Sequence, residues 1–102
     1  MYKVELLPIA LSDIKSIIYY ISHVLNNKTA AERFKNKIIS TIEAITIFPY
    51  GSSKLSFVGL KNEYRCIRIN NYIVIYTIND DKKIITITRI CYYKRKVDDL
   101  LF

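Results

Sequence analysis

The stretch EYRCIRINNYIVIYTI, residues 63–78, decides the fold. β-Branched and aromatic residues fill both halves, and Asn70-Asn71 divides them. Asparagine tolerates the left-handed backbone of a tight turn, so the segment reads as a hairpin of two strands, Glu63–Ile69 and Tyr72–Ile78. In the first strand Arg65, Ile67 and Ile69 share one face, while Tyr64, Cys66 and Arg68 share the other. A second turn, Asn79-Asp80-Asp81-Lys82, leads into a third strand, Lys83–Cys91. There Ile85 and Ile87 alternate with Thr86 and Thr88.

Upstream the period changes. Tyr2–Leu7 is a short β-prone run ended by Pro8, which suits the first turn of a helix. Leu11, Ile14, Ile17, Ile18, Ile21 and Leu25 then recur at helical spacing, with Asp13, Lys15, Ser16 and Ser22 off the stripe. Asn26-Asn27 breaks the pattern. Thr29 in a capping box with Glu32, or alternatively Asn27 two residues earlier, caps a second helix. Its stripe is Ala31, Phe34, Ile38, Ile42, Ile45 and Phe48, and Pro49 stops it. Residues 50–61 hold both glycines and read as irregular. The order is β-α-α-β-β-β. It predicts one α+β domain over residues 1–102, with a helical hairpin packed on one face of a small, mainly antiparallel sheet of about four strands. The uncovered face, carrying Arg, Thr and Tyr, offers a platform for a partner.

Composition narrows the function classes. In 102 residues there are 16 Lys+Arg and 9 Asp+Glu, giving a net charge of +7. Nineteen isoleucines argue against disorder. Apolar runs such as Ile17–Ile21 fall far short of the roughly 20 residues of a membrane span. The N-terminus lacks the features of a signal peptide, so a cytoplasmic location is expected. Two cysteines, Cys66 and Cys91, and one histidine, His23, give no zinc pattern and no disulfide framework. Both cysteines read as small strand hydrophobes and His23 as a surface residue. No cofactor or metal is expected.

The charge is uneven, with net +2 in residues 1–48 and net +5 in residues 49–102. An enzyme built on this chain would have to use Arg, Lys and Tyr, since no Ser-His-Asp set or phosphate loop is present. Such a set can cleave RNA, whose 2′-hydroxyl supplies the nucleophile while cations stabilise the charged transition state. The densest basic and aromatic run is Arg89-Ile-Cys-Tyr92-Tyr-Lys94-Arg95-Lys96. Arg89, Tyr92 and Arg95 are the catalytic candidates if the chain is a nuclease. Lys54, Arg65, Arg68 and Lys94 are the candidates for binding a target or an acidic partner, with Arg65 and Arg68 reaching across the sheet and Lys54 folding over the strand end. The plain alternative for Arg89 is a salt bridge at the end of the sheet.

The segments LLPIALSDIKSIIYYI, AAERFKNKI, IEAITIFP, EYRCIRINNYIVIYTI and TRICYYKRKVDDLL, in this order, resemble the RelE/ParE superfamily of bacterial type II toxins. The resemblance implies a growth-inhibiting toxin neutralised by a cognate antitoxin, and it allows a homodimer. RelE-like members are ribosome-dependent mRNA endoribonucleases, or mRNA interferases. ParE-like members inhibit DNA gyrase and are not nucleases. Nuclease members typically carry Arg where this chain has Ile73, and some carry His near Cys91. Lys54, Arg89, Tyr92 and Arg95 still match basic or aromatic positions of the nucleases. The departure at Ile73 makes a ParE-like gyrase inhibitor the leading expectation. A RelE-like nuclease acting on the ribosome and mRNA is the second, and an inactive toxin copy the third.

Overall fold

The computed structural model describes residues 1–55 and 63–93. Strand β1 spans Lys3–Leu6. Helix α1 spans Pro8–Tyr19, with Pro8 in its first turn, where a missing N–H costs nothing. One wider π turn, Tyr20–Val24, prolongs it, and the Leu25 N–H donates to the Tyr20 carbonyl at 2.9 Å. Asn26, at φ 50°, then takes the left-handed conformation that ends helices. Helix α2 spans Lys28–Ile47, and its cap is Asn27, whose side-chain oxygen accepts from the Ala30 N–H at 3.0 Å. Strands β2 (Ser53–Leu55), β3 (Tyr64–Ile69), β4 (Tyr72–Asn79) and β5 (Ile84–Tyr92) complete the order.

The sheet has five strands in the order β1-β5-β4-β3-β2. It has one strand more than expected, because Ser53–Leu55, inside the stretch read as irregular, pairs antiparallel with β3. Among the described strands only β1 is parallel to its neighbour, β5. Asn70, at φ 53°, closes the β3–β4 turn as its sequence requires. At the β4–β5 turn the Asn79 side chain accepts from the Lys82 N–H at 3.1 Å.

The core lies between the sheet and the two helices. Val74, Tyr76, Ile85, Ile87 and Ile90 supply the floor, and Ala10, Ile21, Ala31, Phe34, Ile38 and Ile45 the roof. Ile67 and Arg65 share the helix-side face with Ile69, as the period of two demands. Three positions of the expected stripes are exposed, Leu11 in the first turns of α1, Leu25 and Phe48. Leu25 lies past the π turn, which widens the helix and swings it outward, and Phe48 follows the last helical residue and is 73% exposed. The opposite face is less open than expected. Ile75 and Cys91 occupy that side yet are buried, while Cys66 is half-buried and Arg68 exposed. His23 is exposed, as expected, with its ring stacked on Tyr19 at 4.4 Å.

These two classes of apolar residue predict opposite outcomes. Replacing Ile87, fully buried in the core, by Ala should cost about 3 kcal/mol in urea unfolding. Phe48→Ala should cost less than about 0.5 kcal/mol, as expected of a side chain that packs on little.

Candidate functional site

Pairing between β1 and β5 ends at Leu6 and Ile87. Beyond that point, among the described residues, the outer edge of β5 has no strand beside it. The register with β4 also slips at Ile75/Tyr76, leaving Thr88 as the inserted residue of a bulge, and its hydroxyl donates to the Ile75 carbonyl at 3.1 Å. Asp13 of α1 takes over the open edge. Its Oδ2 accepts from the Ile90 backbone N–H at 3.0 Å and from Arg89 Nε at 2.8 Å, while Oδ1 accepts from Arg89 Nη2 at 3.0 Å. Both side chains are 15% exposed. The bidentate carboxylate raises the Arg89 pKa, against a smaller opposing effect of burial. Arg89 is therefore the strand-end salt bridge that its position allowed.

Three residues on, Tyr92 stands at the end of the sheet with its ring exposed. It meets Tyr72 edge-on at 5.9 Å and Tyr93 at 5.5 Å, and Tyr72 in turn meets Phe34 at 5.3 Å. Arg68 lies over the Tyr93 ring at 4.0 Å and donates to the Asn70 carbonyl at 2.7 Å. Arg68 and Tyr92 thus sit at the same end of the sheet but on opposite faces.

Arg65 does not approach this end. It lies opposite Tyr76 on the helix-side face, and its guanidinium holds down the chain that leaves α2. Nη2 donates to the carbonyls of Tyr50, at 3.2 Å, and Ser52, and Nε to Ser52 Oγ at 3.4 Å. Its side chain is only 12% exposed. Tyr76 completes the anchor, its buried hydroxyl donating to the Pro49 carbonyl at 2.7 Å and touching Ser52 Oγ. Lys54 pairs with Glu63 at 2.8 Å on edge strand β2. Two strands separate β2 from β5, so Lys54 does not fold over the Arg89 end as the sequence suggested. Lys94 and Arg95 lie outside the described residues.

At the other end of the sheet Asp80 ties three segments together. It accepts from Tyr2 at 2.6 Å and from Tyr50, which belong to the approach to β1 and to the segment after α2. The two hydroxyls hold the Asp80 carboxyl below its ordinary range, and Asp80 pushes Tyr50 up to about 12. Asp80, Asp81, Glu63, Asn79, Thr77 and Thr86 line an open polar depression of about 500 Å³. Its carboxylates make it a poor seat for phosphate. Burial also pushes the Cys66 thiol up, which disfavours the thiolate needed for nucleophilic work. Among the described residues no group of His, Cys, Asp and Glu could hold a metal ion, and no helix is long and apolar enough to cross a membrane.

The family model for the ParE toxin of the type II toxin–antitoxin system parDE matches residues 4–96. The chain belongs to the ParE toxin family. Solved structures agree on the fold. The chromosomal ParDE toxin–antitoxin system of Pseudomonas aeruginosa superposes with a TM-score of 0.71 at 17% identity, covering 90% of this chain and 96% of that one. The isolated RelE toxin of E. coli gives 0.59 at 16%, covering 99% and 100%. The archaeal RelE-RelB complex of Pyrococcus horikoshii gives 0.55 at 18%, covering 93% and 98%. No curated protein matches the sequence. The RelE/ParE resemblance carried by the hairpin and helix segments is thereby established.

Within this ParE-family chain, Asp13, Tyr50 and Asp80 are the residues that sequence reasoning passed over. Asp13 did carry a signal, as the sole acidic residue between Pro8 and Leu25. Asp13→Ala should destabilise the fold by about 3 kcal/mol, because a nearly buried guanidinium loses its partner. In a thermodynamic cycle Arg89→Ala should then add little to it. The Asp80 clamp makes a separate prediction. A carboxyl whose folded pKa is depressed contributes stability above its unfolded value, and that stability is lost as pH falls through the folded one. Acid unfolding followed by circular dichroism should therefore show a stability decrement below about pH 4 that Asp80→Asn removes. Tyr50, raised to about 12, acts with the opposite sign, its contribution fading as pH climbs from 10 through 12.

Proposed function

We propose that this chain is the toxin of a type II toxin–antitoxin pair that inhibits growth in the cytoplasm by binding DNA gyrase, and that a cognate antitoxin neutralises it. Family membership supports the toxin role directly. The ParDE and RelE-RelB structures hold toxins of this fold alongside their antitoxins, which supports a partner of the same kind here. Gyrase as the target rests on what the cations are doing. A nuclease without metal or histidine needs arginines free to meet a phosphate. Here Arg89 is taken by Asp13, Arg65 by the carbonyls of Tyr50 and Ser52, and position 73 is Ile. The bidentate lock of Asp13 on Arg89 is the observation that carries this reading, because breaking it would strand a carboxylate and a strand-edge amide.

A RelE-like ribosome-dependent nuclease is the alternative. It is favoured by the exposed Tyr92 ring and by exposed Arg68 at the same end of the sheet. The two readings part in a supercoiling assay with purified gyrase and relaxed plasmid. The gyrase reading predicts that supercoiling falls as toxin is raised to micromolar concentration. Full activity at that concentration would sink it.

A further inference from the structure

The cations of α2 are held differently from those of the sheet. Arg65 and Arg89 are engaged within the fold, whereas Lys28, Arg33, Lys35 and Lys37 are all exposed. None of these four side chains takes part in an ion pair or hydrogen bond among the described residues. Residues 28–37 hold the four cations and one carboxylate, Glu32, for a net +3. Successive helical residues turn by about 100°. Lys28 and Lys35 therefore fall on one flank, about 20° apart, and Arg33 and Lys37 on the other, about 40° apart. About 170° of solvent-facing surface separates the two pairs, opposite the buried Ala31, Phe34 and Ile38. Along the middle of that surface run Thr29, Asn36 and Ser40, exposed, uncharged and able to donate and accept hydrogen bonds.

A polar ridge with cations on both sides is complementary to a polar trough with anions along both rims. The major groove of B-form DNA is such a trough. It is about 12 Å wide, and a helix with its side chains is about 10–12 Å across, so flanking cations meet both phosphate backbones at once. The major groove of an RNA duplex is deep and narrow and does not admit side chains. An acidic protein helix would satisfy one flank and leave the other unmatched. Two carboxylates bound the fit. Glu32 lies one turn from both Lys28 and Lys35 and weakens their flank. Glu43, about 9 Å beyond Lys37 along the axis, repels phosphate and ends the footprint.

We propose that the first half of α2 seats against the major groove of duplex DNA, with Lys28 and Lys35 on one phosphate backbone and Arg33 and Lys37 on the other. The inference goes beyond the gyrase reading and stands without it, since the probe is a labelled 20-bp DNA duplex with no gyrase present. Fluorescence anisotropy of that duplex with the full-length chain, between 50 and 200 mM salt, reads both affinity and salt dependence. Four phosphate contacts predict a slope of log K against log salt of about −3.6. Lys28→Gln with Lys35→Gln should weaken binding at least fivefold and remove about half of that slope, and Arg33→Gln with Lys37→Gln should do the same. Glu32→Gln should tighten binding at least threefold. Lys3→Gln with Lys82→Gln makes the same change in net charge at exposed positions off the helix, and it should leave affinity within twofold. An RNA duplex of the same sequence should bind at least fivefold more weakly. Absence of DNA binding would overturn the proposal. So would equal loss in the Lys3 and Lys82 variant, which would make binding a matter of net charge, or equal affinity for the RNA duplex. None of these results bears on the gyrase reading, which the supercoiling assay tests separately.

Discussion

Asp13 holds the architecture together at its weakest point. β5 lies between β1 and β4, and it outruns β1 by the stretch from Thr88 onward. An uncovered strand edge is a template for unwanted pairing, and its donors lose water wherever a helix lies across it. One carboxylate on α1 answers the Ile90 amide and fixes Arg89 with the same two oxygens. It thereby ties α1 to β5, and Ala10 of that helix shares one buried core with Ile87 and Ile90 of that strand. The position of Tyr92, two residues beyond Ile90, follows from the same contact. Arg89 is therefore held by a structural contact.

The hairpin was legible because its signals are local. A period of two places Ile67 and Ile69 on one face, and Asn70-Asn71 can close a turn that few other pairs could. The helices were legible for the same reason, although the second is capped by Asn27, the alternative to the Thr29–Glu32 box, which falls inside the helix. β2 was not, since three residues cannot display a period and only β3 beside it makes Ser53–Leu55 a strand. Phe48 fitted the stripe but fell one residue past the helix, where the stripe ceases to have meaning.

The candidate site was harder, because sequence gives residue type and not occupancy. Arg65 and Arg89 have the chemistry of phosphate ligands. Arg65 is engaged mostly by backbone carbonyls, which every residue owns and which no pattern can reveal. Arg89 is engaged by a residue 76 positions away. The same reasoning explains why the excess of +7 does not make a uniform basic platform. Part of it is taken up within the fold by Asp13 and Glu63, and at the β4–β5 turn Asp80 and Asp81 offset Lys82 and Lys83.

On the proposed gyrase reading this ParE-family chain works by presenting surfaces to proteins, and Arg65 and Arg89 are held within the fold that carries them. The account is tested most directly by adding the purified chain to a translating extract and mapping the 5′ ends of the mRNA. It predicts no new ends at ribosomal A-site codons, at any toxin concentration that blocks gyrase. New ends at those codons, abolished by Tyr92→Phe, would contradict it.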